Sequence, residues 1–284
     1  MATLLILKRR IKTAKNISKT TKAFQMIAAS RLKKAQEAAL SSMAYVEKLD
    51  SLSKTLTSKI DNDNLHEYMK AAKNTNAKLL IVISPDKGLC GALVTNLLRE
   101  ILHYPNSGKT YYMTVGKKAE HTVTSLNKDL VASFPFGTSL PLFDIVYPIA
   151  KIINEYFLEG KVSEVQILST KFSSVFSQSP KISTLLPVKI EAEQKEKNSN
   201  TLFEPSIQEL VPDLLQHYLE MVIYQSLLES YASEQASRMI AMKNATDNAM
   251  DMISELQLEY NKSRQEKITN ELLDIGGGNF LTNE

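Results

Sequence analysis

Glycine and proline are confined to the middle of this 284-residue chain. Residues 1–84 contain neither, and neither do residues 213–275. All nine prolines lie between Pro85 and Pro212, and six of the nine glycines lie between Gly88 and Gly160. Average usage would put roughly ten such residues into a stretch as long as the first. Both residue types interrupt helices, so the two ends are expected to be very long helices flanking one compact domain. At about 1.5 Å rise per residue, each end would reach roughly 90 Å. Helices of that length must pack on each other or on a partner.

The first end carries a heptad. Counting 3-4-3-4 from Leu4 gives Leu7, Ile11, Ala14, Ser18, Thr21, Gln25, Ala28, Leu32, Ala35, Ala39, Ser42, Val46, Leu49, Ser53, Leu56 and Ile60. Twelve of these seventeen positions are apolar, and the others are small or uncharged. A 3.5-residue repeat makes a left-handed coiled coil, and many alanines and serines imply close helix approach. The turn-prone cluster Asp61-Asn62-Asp63-Asn64 is expected to end the helix. The last end has its own stripe of Leu214, Tyr218, Met221, Leu228, Ala232, Met239, Met242, Ala249, Ile253, Leu256 and Tyr260, interrupted at Gln225, Gln235 and Thr246. Gly276-Gly277-Gly278 reads as its C-cap.

With one domain between them, the ends can fold back as an antiparallel pair. Residues 1–36 hold ten basic residues and no acid, while residues 213–284 hold five basic against twelve acidic residues, a net of −7. Opposite charge favours pairing, but salt screens it, so the seam should contribute more.

The middle alternates. Residues 78–83, 110–115 and 165–170 read as strands, with a further strand at 183–190, and 91–103, 117–126 and 142–158 read as helices. Such alternation predicts an open α/β (Rossmann-like) sheet. The polar run 191–200 reads as a loop. The expected division is a coiled-coil helix over 1–75, an α/β domain over 76–208 and a second coiled-coil helix over 209–284. The fold class is therefore α/β, a long antiparallel coiled coil with an inserted open sheet domain.

No catalytic constellation stands out. The turn Ser84-Pro85-Asp86-Lys87-Gly88-Leu89-Cys90-Gly91 follows a strand and precedes a helix, where phosphates often bind. It has only G-x-x-G, and it lacks the Gly-Lys-Ser/Thr ending of a P-loop. Gly88, Cys90 and Gly91 therefore read as a structural turn. Cys90 has no histidine near it in sequence. His66, His103, His121 and His217 are scattered without metal-ligand spacing, so no cofactor or metal is expected. A single cysteine excludes an internal disulfide and fits a reducing compartment. No apolar run approaches the length of a membrane span. The basic face of Lys8, Arg9, Arg10, Lys12, Lys15, Lys19 and Lys22 suits nucleic acid, an anionic membrane or an acidic protein equally well. An α/β enzyme with helical extensions is a further possibility at this level.

Longer stretches are more specific. RRIKTAKNISKTTKAFQMIAASRLKKAQ resembles the start of the γ subunit of F-type, bacterial-type ATP synthases. ASEQASRMIAMKNATDNA and YNKSRQEKITNELLDIGGG resemble its C-terminal helix, and ISPDKGLCGA, VGKK at 115–118, LSTKFSSVFSQSP and LLP resemble its middle. The pieces cover nearly the whole chain in the expected order. The resemblance implies a non-catalytic rotor shaft in a peripheral inner-membrane complex, on the cytoplasmic side. Its partners would be the hexameric ring of α and β subunits, the ε subunit and the c-ring. It implies no nucleic-acid binding, and membrane association only through the complex.

The resemblance also implies site residues. Arg264, Gln265, Thr269 and Glu271 match polar positions that meet a β-subunit loop. Arg238, Met239 and Met242 match a shaft segment of the family. Lys22 and Phe24 match a Thr-Lys-Ala-Met stretch near an acidic segment of β, with Phe24 in place of the methionine. The tail from Gly276 to Phe280 departs from the family's Gly-Ala-rich ending.

Overall fold

The structure is a computed structural model that describes residues 2–57, 66–70, 75–105, 108–188, 204 and 206–278. The expected turn at 61–64, the loop at 191–200, seam residue Ile60 and the tail at 279–284 lie outside the described residues. Internal contacts divide the chain into two compact units, Met1–Ile27 with Met239–Glu284, and Ala28–Arg238.

Helix α1 spans Ala2–Thr57 and helix α5 spans Ile207–Gly278. Along α1, every described fully buried side chain is a heptad position: Leu7, Ala14, Ser18, Ala28, Leu32, Ala35, Ser42, Leu49, Ser53 and Leu56. The other described heptad positions are half-buried. Apolar spacing alone therefore fixes which face of α1 is covered. In the first unit, Thr21 and Thr246 share a hydrogen bond of 2.7 Å between their hydroxyls. In the second, Tyr45 meets His217 at 3.0 Å and Tyr218 donates to Asp50 at 3.3 Å. Bonds of this kind pair α1 with α5 within each unit.

Helix α5 departs from the sequence expectation in two ways. It begins at Ile207, so Pro212 is inside it, where its missing N–H removes one helical hydrogen bond. It also runs through Gly278, so the three glycines prolong the helix instead of capping it.

The α/β domain lies in the second unit. Its strands are β1 (Lys78–Ile83), β2 (Thr110–Val115), β3 (Asp129–Phe134), β4 (Glu164–Phe172) and β5 (Gln178–Leu186). Its helices are α2 (Leu93–His103), α3 (Lys117–Ser125) and α4 (Val146–Leu158). The sheet order is β3-β2-β1-β4-β5. The first four strands are parallel, and β5 pairs antiparallel with β4. Strand β1 is central, and Leu79 to Ile83 are all buried, as expected for a parallel strand covered on both faces. Leu80 and Val82 join Leu97, Ile101, Tyr112, Val123 and Leu168 in one core cluster.

Two strands differ from expectation. β3 has no counterpart among the expected strands, because DLVASF is a half-buried edge with a weak apolar pattern. β5 starts at Gln178 and includes Pro180. An edge strand tolerates proline because its N–H side needs no ladder partner.

Candidate partner interface

The loop between β1 and α2 is built by its own anchors. The Asp86 carboxylate accepts from the backbone N–H groups of Lys117 at 2.8 Å, Gly137 at 2.8 Å and Phe136 at 3.4 Å. It thus occupies the N-terminus of α3, the position a phosphate would take in a nucleotide site. The buried Ser84 hydroxyl accepts from Ala119 N–H at 2.8 Å and donates to the Gly116 carbonyl at 3.3 Å. A cleft of about 640 Å³ opens beside the loop, lined by Gly88, Leu89, Cys90, Lys117, Lys118 and His121 among others.

The two glycines of the loop differ. Gly91 has φ +57°, the left-handed region that glycine adopts without strain. Gly88 has no such φ, and a Cβ there would meet nothing within 4 Å. Leu89 takes the second left-handed position, at φ +64°, with its side chain exposed. Cys90 is buried, and that burial pushes its thiol pKa up, with Arg238 partly offsetting it. A thiol held protonated is a poor nucleophile. Replacing Cys90 with alanine is therefore expected to leave any turnover that depends on this protein within a few-fold. A turnover assay on the purified protein with its partners checks this, and lost turnover with normal folding would revive a catalytic thiol. Among the described residues, no group of three or more His, Cys, Asp or Glu is placed to hold a metal ion.

The helix residues singled out in the sequence occupy three environments. Arg238 points inward: its guanidinium meets Glu234 at 2.7 Å and donates to the carbonyls of Lys87 and Gly88 at 3.3 and 3.2 Å. Burial pushes the Glu234 carboxyl up, and Arg238 opposes that rise. Met242 is buried in the seam, and its carbonyl accepts from Thr246. Met239 is half-buried.

Lys22, Phe24, Arg264, Gln265, Thr269 and Glu271 are exposed. Glu271 pairs with Lys267 one turn earlier at 3.3 Å. The inner seam of this part of α5 continues through Ile253, Leu256 and Tyr260, all half-buried. Gln265 and Thr269 are four residues apart and share an outer face. The same unit also exposes Ile17, Phe24, Met26, Ile27, Leu258, Ile268 and Leu272. Large apolar side chains facing out from a helix whose inner face is already covered mark a further protein surface.

Asp86, Leu89, Gly116, Glu234 and Ser237 were not singled out from sequence. Glu234 and Arg238 did carry a signal, an acid four residues before a base. The others act through tertiary contacts between distant segments.

Residues 3–279 match the ATP synthase family. The chain is 38% identical over 280 residues to the ATP synthase gamma chain of Dehalococcoides mccartyi, covering 98% of each chain. It is 36% identical over 291 residues to that of Paraburkholderia phytofirmans, covering 98% of this chain and 99% of the other. Its fold is similar to a chain in the OSCP/F1/c-ring structure of Euglena gracilis mitochondrial ATP synthase, with TM-score 0.74, 21% identity, and 99% and 94% of the two chains covered. It is also similar to a chain of the Tetrahymena thermophila central stalk and c-ring, with TM-score 0.60, 24% identity, and 80% and 99% covered. The seam, the inserted sheet and full-length identity agree, and the chain belongs to the ATP synthase gamma-chain family.

Proposed function

We propose that the chain is the central rotor shaft of an F-type ATP synthase and performs no chemistry itself. One observation carries this beyond family membership. The α1–α5 pair closes its inner seam yet displays large apolar residues, Ile17, Phe24, Met26, Leu258 and Leu272 among them, on its outside. A shaft inside a sleeve of α and β subunits needs that surface.

The remaining partners are the ε subunit and the c-ring, both meeting the α/β domain. No helix among the described residues is long and apolar enough to cross a membrane. The complex carries the chain to the membrane, as a peripheral component on the cytoplasmic side. Functionally the chain divides into shaft helices at 1–75 and 209–284 and a coupling domain at 76–208. Lys22, Phe24, Arg264, Gln265, Thr269 and Glu271 form its contact set for the ring. Arg238 and Met242 serve that contact from within, through the loop and the seam.

Torque transfer requires contacts that differ between β conformations, because only a difference couples rotation to state. Arg264 and Gln265 are adjacent, so they point about 100° apart around the helix. They meet β groups at different rotor angles. A charge-assisted bond from Arg264 would contribute about 1.5–3 kcal/mol in the states where it forms. Arg264→Ala and Gln265→Ala are expected to lower ion pumping by the reconstituted complex while leaving the melting temperature of the free chain within about 2 °C, since exposed substitutions change stability little. Normal pumping in both variants, or a melting loss large enough to explain the defect, would sink this assignment.

A further inference from the structure

Two consecutive side chains of α5 grip one loop. Ser237 Oγ donates to the carbonyl of Cys90 at 2.7 Å. Next to it, Arg238 donates to the carbonyls of Lys87 and Gly88. The guanidinium is itself fixed by Glu234, whose side chain is only 3% exposed. It cannot swing away without leaving a buried carboxylate uncompensated. Between these grips Leu89 is held at φ +64° with 63% of its surface exposed. A leucine adopts that backbone only when its surroundings impose it. On the far side, Asp86 ties the loop to the start of α3 and to Gly137.

We propose that Ser237 and Arg238 are positioning residues that lock the 87–90 loop onto α5, so that Leu89 is presented rigidly and force applied at the loop passes to the helix without flexing. The mechanical consequence rests on the rotor reading; the lock itself does not. Arg238 thus acts on a partner through the loop it holds. The planar fork of arginine suits the task, since it reaches two carbonyls and a carboxylate together, and a lysine would act as a point charge.

Cys90 is a built-in reporter. It is the only cysteine of the chain, it is buried, and it lies inside the locked loop. The experiment measures maleimide labelling of Cys90 in the assembled complex, together with ions pumped per ATP hydrolysed, for wild type, Ser237→Ala, Arg238→Lys and Arg238→Ala. Opening the lock should speed labelling by about tenfold or more for Arg238→Ala, in proportion to the lost charged hydrogen bonds. Ser237→Ala and Arg238→Lys should show smaller increases. Pumping per ATP should fall in the same order. Equal labelling rates in all four proteins would overturn the lock. Faster labelling with full pumping would overturn its mechanical role. If Arg238→Ala fails to assemble, the two milder variants decide. Should the wild-type complex itself fail to pump in a manner dependent on this chain, the rotor reading falls, while the labelling rates still decide the lock.

Discussion

Replacing Gly116 with alanine is expected to destabilise the α/β domain by several kcal/mol, on the order of the strain and overpacking it introduces. Gly116 joins β2 to α3 with φ +109°, a backbone conformation that side-chain-bearing residues rarely adopt. A Cβ there would stand 1.9 Å from the Ser84 carbonyl oxygen and 2.8 Å from the Ser84 carbonyl carbon. Those atoms are backbone at the end of the central strand, so no side-chain rotation relieves the clash. Moving them breaks the bond from Ser84 N–H to Val115 and strains the Ser84 hydroxyl contact with Ala119. Overpacking costs roughly 1–3 kcal/mol and the glycine-only backbone conformation, φ +109° with ψ 140°, adds about 1–3, against a net stability on the order of 5–15 kcal/mol. The contrast is Gly88→Ala, where open space predicts a change within about 0.5 kcal/mol. Thermal melts of the two variants test this, and similar melting temperatures would contradict it.

Leu32→Pro is the second large effect. Leu32 is 5% exposed and lies between Ala28 and Ala35, which are also buried on the same seam. Proline removes one helical hydrogen bond and clashes with the carbonyl four residues earlier, costing about 3 kcal/mol or more, and it also removes a buried side chain. A kinked α1 cannot keep α5 in register. The variant is expected to lose helical content by circular dichroism and to fail in assembly or in coupling. Leu40→Ala serves as control, because Leu40 is 69% exposed and off the seam. Intact helicity and pumping in Leu32→Pro would contradict the paired-helix account.

These two sites also mark what the sequence discloses. The Leu32 seam was readable because a helix buries one stripe, and spacing alone names that stripe. The stripe on α5 is less legible. Ile223, Leu227, Tyr231 and Ala236 are buried although they lie off it. There α5 is covered by more than one neighbour, and a helix buried all round has no dominant stripe. Buried Glu234 fits the same circumstance. β1 was legible as an unbroken apolar run, and β3 was not, because a half-buried edge strand mixes polar and apolar residues. Gly116 was visible only as part of a resembling VGKK stretch. Its necessity comes from Ser84, 32 residues earlier in sequence, and no local pattern encodes that approach. The clamp from Ser237 and Arg238 to the 87–90 loop was hidden for the same reason. The proposed contact residues Arg264 and Gln265 stand out only through family resemblance, since an exposed polar face has no periodic signature of its own.

The central claim is that this chain turns inside its partners, and rotation can be watched directly. In a Cys90→Ala background, a cysteine at exposed Lys151 on α4 provides a single attachment point for a bead. The ring of α and β subunits is fixed to glass and ATP is added. The account predicts sustained rotation in one direction that stops when ATP is removed. A bead that only fluctuates about a fixed angle, while the same tethered complexes hydrolyse ATP, would contradict it.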